Sequence, residues 1–105
     1  YSFTHGDDAI DGILLAIRHF EKAKNLAFNL AFPKAVRIVD AAKLLQKKMN
    51  AKNKIAIAKT RLGEIEHFEA DISLAKKWLG FRPVVGIEEG LERSLQWYTK
   101  NVYKK

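Results

Sequence analysis

Apolar positions recur along this chain in two rhythms. Ile10, Ile13, Leu14, Ile17 and Phe20 repeat at helical spacing and predict a helix with that stripe buried, running to about Phe20. Ile38, Val39, Ala42, Leu45 and Met49 predict a second helix, from about Ala35 to Met49. Leu74, Ala75, Trp78 and Leu79 predict a short third one. Ile87, Leu91, Leu95, Tyr98 and Val102 form the single stripe of a long fourth. The other rhythm is that of strands. Tyr1 to His5 alternates in polarity, Leu26 to Phe32 is an apolar run of strand length, and Ile55 to Ala58 is a third short candidate. The Leu26–Phe32 run predicts a strand buried on both faces.

Punctuation agrees with these boundaries. Gly6 ends the first strand, and Asp7 and Asp8 supply an N-cap and a first-turn acid. Gly12 inside the first helix costs roughly 1 kcal/mol against Ala. Pro33 stops the apolar run. Asp71 is placed to cap the third helix, and Gly80 follows its last apolar residue, where a left-handed residue is cheapest. Pro83 keeps Arg82 out of the helical region, so the connector is extended. Glu88, Glu89 and Glu92 near the start of the last helix, and Lys100, Lys104 and Lys105 near its end, suit the helix dipole. Strand, crossover helix and strand make a βαβ unit, which should be parallel and right-handed. The expected fold is α/β: one domain over residues 1–105, a small three-stranded mixed sheet and about four helices, the last two covering the sheet.

Composition narrows the class. With 105 residues, 48% hydrophobic and 30% charged, the chain is globular. No apolar run approaches the roughly 20 residues of a membrane span. No signal peptide is evident, cysteine is absent, and a cytoplasmic location is expected. The chain has no initiator Met, so a fragment of a longer protein is expected. The formal net charge of +7 favours an anionic partner or serves solubility. Lys43, Lys47, Lys48, Lys52, Lys54 and Lys59 form the most basic stretch, largely on the polar face of the second helix. His5, His19 and His67 have no metal-site spacing. Trp78, Phe81 and Trp97 sit at helical and helix-end spacings that suit a core better than a base-stacking platform.

The string ADISLAKKWLGFRP, followed by IEEGLERSLQWY, resembles the C-terminal signature of NAD-dependent nucleotide-sugar epimerases and dehydratases, members of the extended short-chain dehydrogenase/reductase superfamily. SFTHGDDAIDGILLAI is similar to the family's R-D-[FY]-[IT]-[HY]-V-x-D segment. AFNLAFPKAVRIVDAAKLL is similar to its F-N-[IL]-G strand and following helix, and KTRLGEIEHFEADIS to P-x-R-P-G-D-[IV]. The resemblance spans Ser2 to about Tyr103 and corresponds to the C-terminal, substrate-binding third of a member. It implies no catalytic or cofactor-binding residue in this chain, which has neither the glycine-rich dinucleotide loop nor the Tyr-x-x-x-Lys pair. NAD would belong to the Rossmann domain of the parent enzyme, and the chain alone would be inert.

By the same resemblance, Arg61 would contact the diphosphate of a nucleotide sugar and Glu64 a ribose hydroxyl. A guanidinium gives charge-assisted bidentate bonds to phosphate, and a carboxylate accepts from a hydroxyl. Gly63 permits the turn between them. The spacing alone favours a loop Arg paired with a loop Glu; the flanking resemblance favours the site. Tyr1 stands where many members carry a second diphosphate-binding Arg, and His5 lies beside the substrate region. Glu64 for Asp and Phe32-Pro33 for a glycine-rich turn depart from the family pattern. A UDP-glucose 4-epimerase-like activity is preferred over a dehydratase. The expected partners are the nucleotide sugar and the missing Rossmann domain, with no membrane. Two rivals stay open: a nucleic-acid-binding module working through Lys43, Lys47, Lys48, Lys52 and Lys54, and a ligand-free interaction unit that self-associates.

Overall fold

A computed structural model describes residues 1–103; Lys104 and Lys105, expected to extend the basic end of the last helix, lie outside the described residues. Five helices follow in order: α1 (Gly6–Arg18), α2 (Phe20–Ala23), α3 (Ile38–Lys48), α4 (Ser73–Leu79) and α5 (Ile87–Asn101). Each long helix starts with acids and ends with bases: Asp7, Asp8 and Arg18 in α1, Asp40, Lys47 and Lys48 in α3, Glu88, Glu89 and Lys100 in α5. The cap of α1 is His5, whose Nδ1 accepts from Asp7 N–H at 3.1 Å. Asp71 Oδ1 accepts from Ser73 N–H at 2.9 Å, as its position suggested, and this bond draws its carboxyl below the usual range.

The three-stranded sheet is not present. Among the described residues the sole β pairing is one antiparallel bridge, Ser2 with Ala35, flanked by Tyr1–Val36 main-chain bonds in both directions. No parallel βαβ unit forms. The physical reason is the lack of partners. Between Ala27 and Lys34 no main-chain hydrogen bond is made among the described residues. Leu26–Phe32 instead leans one side on the helices: Phe28 and Leu30 are half-buried and Ala31 is buried, while Leu26, Ala27 and Asn29 are exposed. Asn29 Nδ2 donates to Asp71 O at 3.1 Å. Ile55–Ala58 is entirely exposed.

The core is small and joins α1, α2 and α4. Ala23, Ala31, Ile72, Ala75, Leu79 and Phe81 are buried together, with Leu15, Ala16, Phe28 and Leu30 packed around them. Three of the six are alanines, so the helices approach closely. Gly12 belongs to this contact: a Cβ there would stand 2.7 Å from the methyls of Leu30. Gly80, at φ 68°, ends α4 and donates to Lys76 O at 3.1 Å. Phe81 N–H reaches Ala75 O at 3.2 Å, which turns the ring inward to 1% exposure. Trp78 and Trp97, expected in the core, lie on the surface.

Helix α1 is buried on the side opposite to the one its apolar stripe predicts. Asp8 and Gly12 are buried and Leu15 and Ala16 half-buried, whereas Ile10, Ile13, Leu14, Ile17 and Phe20 are exposed, Ile17 to 66%. The stripe has no covering partner among the described residues. Helix α5 packs on α3 rather than on a sheet; Ile87, Leu91 and Leu95 are half-buried, and Tyr98 and Val102 are exposed. The whole chain is correspondingly open. Its accessible surface is 8616 Å², against about 6,000 Å² for a compact monomer of this mass. Its radius of gyration is 16.7 Å, against about 13 Å.

Candidate functional site

Arg61 to Glu64 forms a self-closed turn. Glu64 N–H donates to Arg61 O at 3.2 Å, and Arg61 N–H donates to Glu64 Oε2 at 3.1 Å. Gly63 sits between them at φ 81°, where any side chain would be strained. The turn therefore closes through main chain and one carboxylate oxygen, not through a guanidinium–carboxylate bridge. Both side chains are exposed.

Tyr1 is brought to this turn. Its hydroxyl donates to Ile65 O, and its main-chain nitrogen donates to Val36 O at 3.0 Å. Ser2 Oγ accepts from Ala70 N–H at 3.1 Å. Tyr1 and Ser2 thus staple the start of the chain to the 35–36 bridge on one side and to the 65–70 segment on the other. His5 is placed elsewhere. Its ring faces Gly90 of α5, with Cδ2 3.5 Å from where a Cβ of that residue would stand. It lines a cleft with Phe3, Val85, Gly86 and Ser94 to which Tyr1, Arg61 and Glu64 do not contribute. The structure joins Tyr1 to the Arg61–Glu64 turn and separates His5 from it.

The buried polar centre of the molecule is a residue that the sequence presents only as a first-turn acid. Asp8 is 2% exposed. Its Oδ1 accepts from Val84 N–H at 3.0 Å, and its Oδ2 from Val85 N–H at 2.9 Å. Two donors of the extended connector, the buried N–H of Val85 and the partly buried one of Val84, are satisfied by one carboxylate, which fixes where α5 begins. Arg93 of α5 reinforces the junction, bonding Asp7 at 3.1 Å and Glu89 at 2.7 Å. The available signal was the line Asp8, Gly12, Leu15 on the face opposite the apolar stripe, set against a connector whose Val-Val pair follows a proline.

The basic stretch is not a uniform cationic face. Lys48 is mostly covered and pairs with Glu92 at 3.0 Å and Glu88 at 3.9 Å. The Lys48 hydrogen bond holds the Glu92 carboxyl below the usual range. Among the described residues no group of three or more His, Asp or Glu side chains could hold a metal ion. No helix among them is long and apolar enough to cross a membrane.

No family model matches this sequence. An uncharacterized protein of Methanocaldococcus jannaschii is 36% identical over 99 residues, covering 94% of this chain and 30% of that protein. UDP-glucuronate 4-epimerase 4 of Arabidopsis thaliana is 31% identical over 108 residues, covering 91% of this chain and 25% of that enzyme. A crystal structure of UDP-galactose 4-epimerase superposes with a TM-score of 0.75 at 22% identity, over 91% of this chain and 33% of that one, which establishes the fold. The chain therefore spans between a quarter and a third of the length of these proteins. Its homologues are UDP-glucuronate 4-epimerases and UDP-glucose 4-epimerases, matched over their C-terminal part.

Proposed function

We propose that the chain is the nucleotide-sugar-binding C-terminal part of an NAD-dependent sugar-nucleotide 4-epimerase, with a UDP-hexose as substrate. The observation that carries this reading is the match of more than nine tenths of the chain to the C-terminal part of UDP-sugar 4-epimerases. The closed turn at 61–64 supports it. Arg61 would give charge-assisted bonds to the diphosphate, and the second oxygen of Glu64 would accept from the ribose. Tyr1 would hold the turn through Ile65, while His5, which lines a separate cleft against α5, would take no part in that contact. The residues form a single domain, and the parent enzyme is assigned to the cytoplasm.

NAD and the acid–base pair would come from a Rossmann domain that this chain does not contain. That domain would oxidise C4 of the sugar by hydride transfer and return the hydride to the other face. The chain by itself would be inert. The exposed stripe of α1 and the unpaired 26–32 segment are the surfaces such a domain would cover. The nucleic-acid reading is weakened by Lys48, whose charge is spent on Glu88 and Glu92.

The test is Arg61→Ala in the full-length enzyme. A hydrogen bond to a charged group contributes about 1.5–3 kcal/mol, so KM for the UDP-sugar should rise roughly 10- to 150-fold. The diphosphate does not react, so kcat should hold. An unchanged KM with an unchanged melt removes Arg61 from the site. Loss of the cooperative melt returns it to a structural role.

A further inference from the structure

Helices α3 and α5 lie side by side and leave a groove of about 1040 Å³ between them, far from the Arg61–Glu64 turn in sequence and sharing no lining residue with it. Leu45 and Met49 form one wall, and Leu91, Leu95 and Tyr98 the other. The volume lies at the upper end of the range for small-molecule sites, and concave, apolar walls between helices are a usual setting for one. Polar atoms come from Ser94, Thr99 and Lys100.

The charge arrangement selects the ligand. Among the described residues lining the groove, Lys100 is the only charged one. The acids of α5 are engaged outside it: Glu88 and Glu92 with Lys48, Glu89 with Arg93. An apolar slot thus carries one cation, several hydroxyls and no anion. From Leu91 to Lys100 the helix axis runs about 14 Å, the length of an extended chain of roughly eleven carbons. The net charge of +7 adds a long-range attraction for anions.

We propose that this groove binds a long-chain monocarboxylate, its hydrocarbon lying along Leu45, Leu91 and Leu95 and its carboxylate paired with the Lys100 ammonium. The ion pair stands at a protein surface and supplies selectivity, while the apolar walls supply most of the affinity. A neutral amphiphile keeps the second contribution and loses the first. A cationic one meets repulsion from Lys100.

The experiment uses the whole chain and dodecanoate below its micelle concentration, followed by calorimetry and by the fluorescence of Trp97, whose ring stands 5.2 Å from that of Tyr98. Saturable one-to-one binding is expected, with dodecan-1-ol and dodecylammonium at least about fivefold weaker. Lys100→Gln should weaken dodecanoate about fivefold and leave dodecan-1-ol unchanged. Ser94→Trp, at an exposed helix position that should still fold, fills the groove and should weaken both. Far-UV spectra and melts check that each variant is folded. Four results overturn the proposal: no saturable binding up to millimolar dodecanoate; binding indifferent to both variants; the same loss from Ile13→Glu on α1; or a dimer by light scattering that Ser94→Trp dissociates, which makes a second copy the occupant.

Discussion

Two stretches adjoin in sequence and differ in everything else. From Ala70 to Phe81 the chain caps a helix, closes it on Gly80 and drives Phe81 into the core. From Lys52 to Glu69 every residue is exposed, and one turn at 61–64 is the sole local order. Their apolar content does not explain the contrast. Ile55, Ile57, Leu62, Ile65 and Phe68 would do for a core, yet Ile57 is 84% exposed. What separates them is the presence of something to pack on. Phe81 meets Ala75 and Leu79 of the preceding helix in a cluster completed by Leu15 and Ala16 of α1. Ile57 meets solvent. An apolar pattern states a demand for burial; whether a partner within the same chain meets it is a separate fact.

The sharpest way to test that contrast is to remove the centre of the ordered side. Phe81→Ala should cost about 3–5 kcal/mol, the transfer loss plus a cavity that small alanine neighbours cannot fill. A domain of this size has only about 5–10 kcal/mol in hand, so the variant should lose roughly half of its stability. Chemical denaturation measures it. A loss below about 1 kcal/mol would mean that the core collapses around the gap and is not the ordered half it is taken to be.

Asp8→Ala should come next, at about 3 kcal/mol. Two main-chain donors lose their acceptor, the buried N–H of Val85 and the partly buried one of Val84, and leaving a buried group unpaired costs about 1–3 kcal/mol, with a smaller loss for the partly buried one. The damage should spread to α5, because the connector that starts it is no longer fixed. Hydrogen exchange at Val84 and Val85, compared between the two proteins, reads this directly. Unchanged protection there would show that water replaces the carboxylate.

A smaller effect is expected from acid. The carboxyls of Asp40, Asp71 and Glu92 are held below their ordinary values, by Arg37, by the Ser73 N–H and by Lys48 respectively. Groups of this sign stabilise the fold fully above the unfolded carboxylate range, and the contribution is lost as pH falls through their lowered folded values. All three are at the surface, so the melting temperature should decline gently below about pH 4.5, with no single step. A steeper loss in Asp71→Ala than in the wild type would contradict the cap as the source.

What the sequence made legible follows the same division. Four of the five helices were readable because their signals are local: acids before bases, Asp71 before α4, Gly80 after it; α2 (Phe20–Ala23), in a stretch that reads as a polar connector, was not. Each rests on contacts within one or two turns. The long-range facts were not readable. Leu26–Phe32 has the composition of a strand, but a strand is defined by a neighbour, and none lies beside it among the described residues. The stripe of α1 predicted the buried face and marks the exposed one, because the core was built instead from Asp8, Gly12, Leu15 and Ala16, a line too polar and too small to be noticed. At the candidate site, string resemblance brought Arg61, Glu64 and Tyr1 into view; Arg61 and Glu64 close one turn, and Tyr1 bonds Ile65 beside it. His5 was grouped with them by sequence position and stands instead against α5.

The smallest expected effect is the most informative about the exposed side. Ile57→Ser in this chain should change stability by less than about 0.5 kcal/mol, since a fully solvated side chain gives up no packing when shortened. The same substitution in a full-length enzyme carries a different expectation. If 52–69 is a surface that another domain covers, Ile57 is buried there, and replacing its hydrocarbon with a hydroxyl should cost about 2 kcal/mol or more. The two melts, run side by side, separate a segment that is a solvent loop from one that waits for a partner. Silence in both proteins makes it a loop, and its apolar residues then have no structural reason. A loss in the small chain alone would mean that Ile57 is buried in solution after all. A loss confined to the full-length enzyme assigns the open half of this molecule to an interface, and makes the contrast with Phe81 one of timing: the same burial, completed within the chain in one place and between domains in the other.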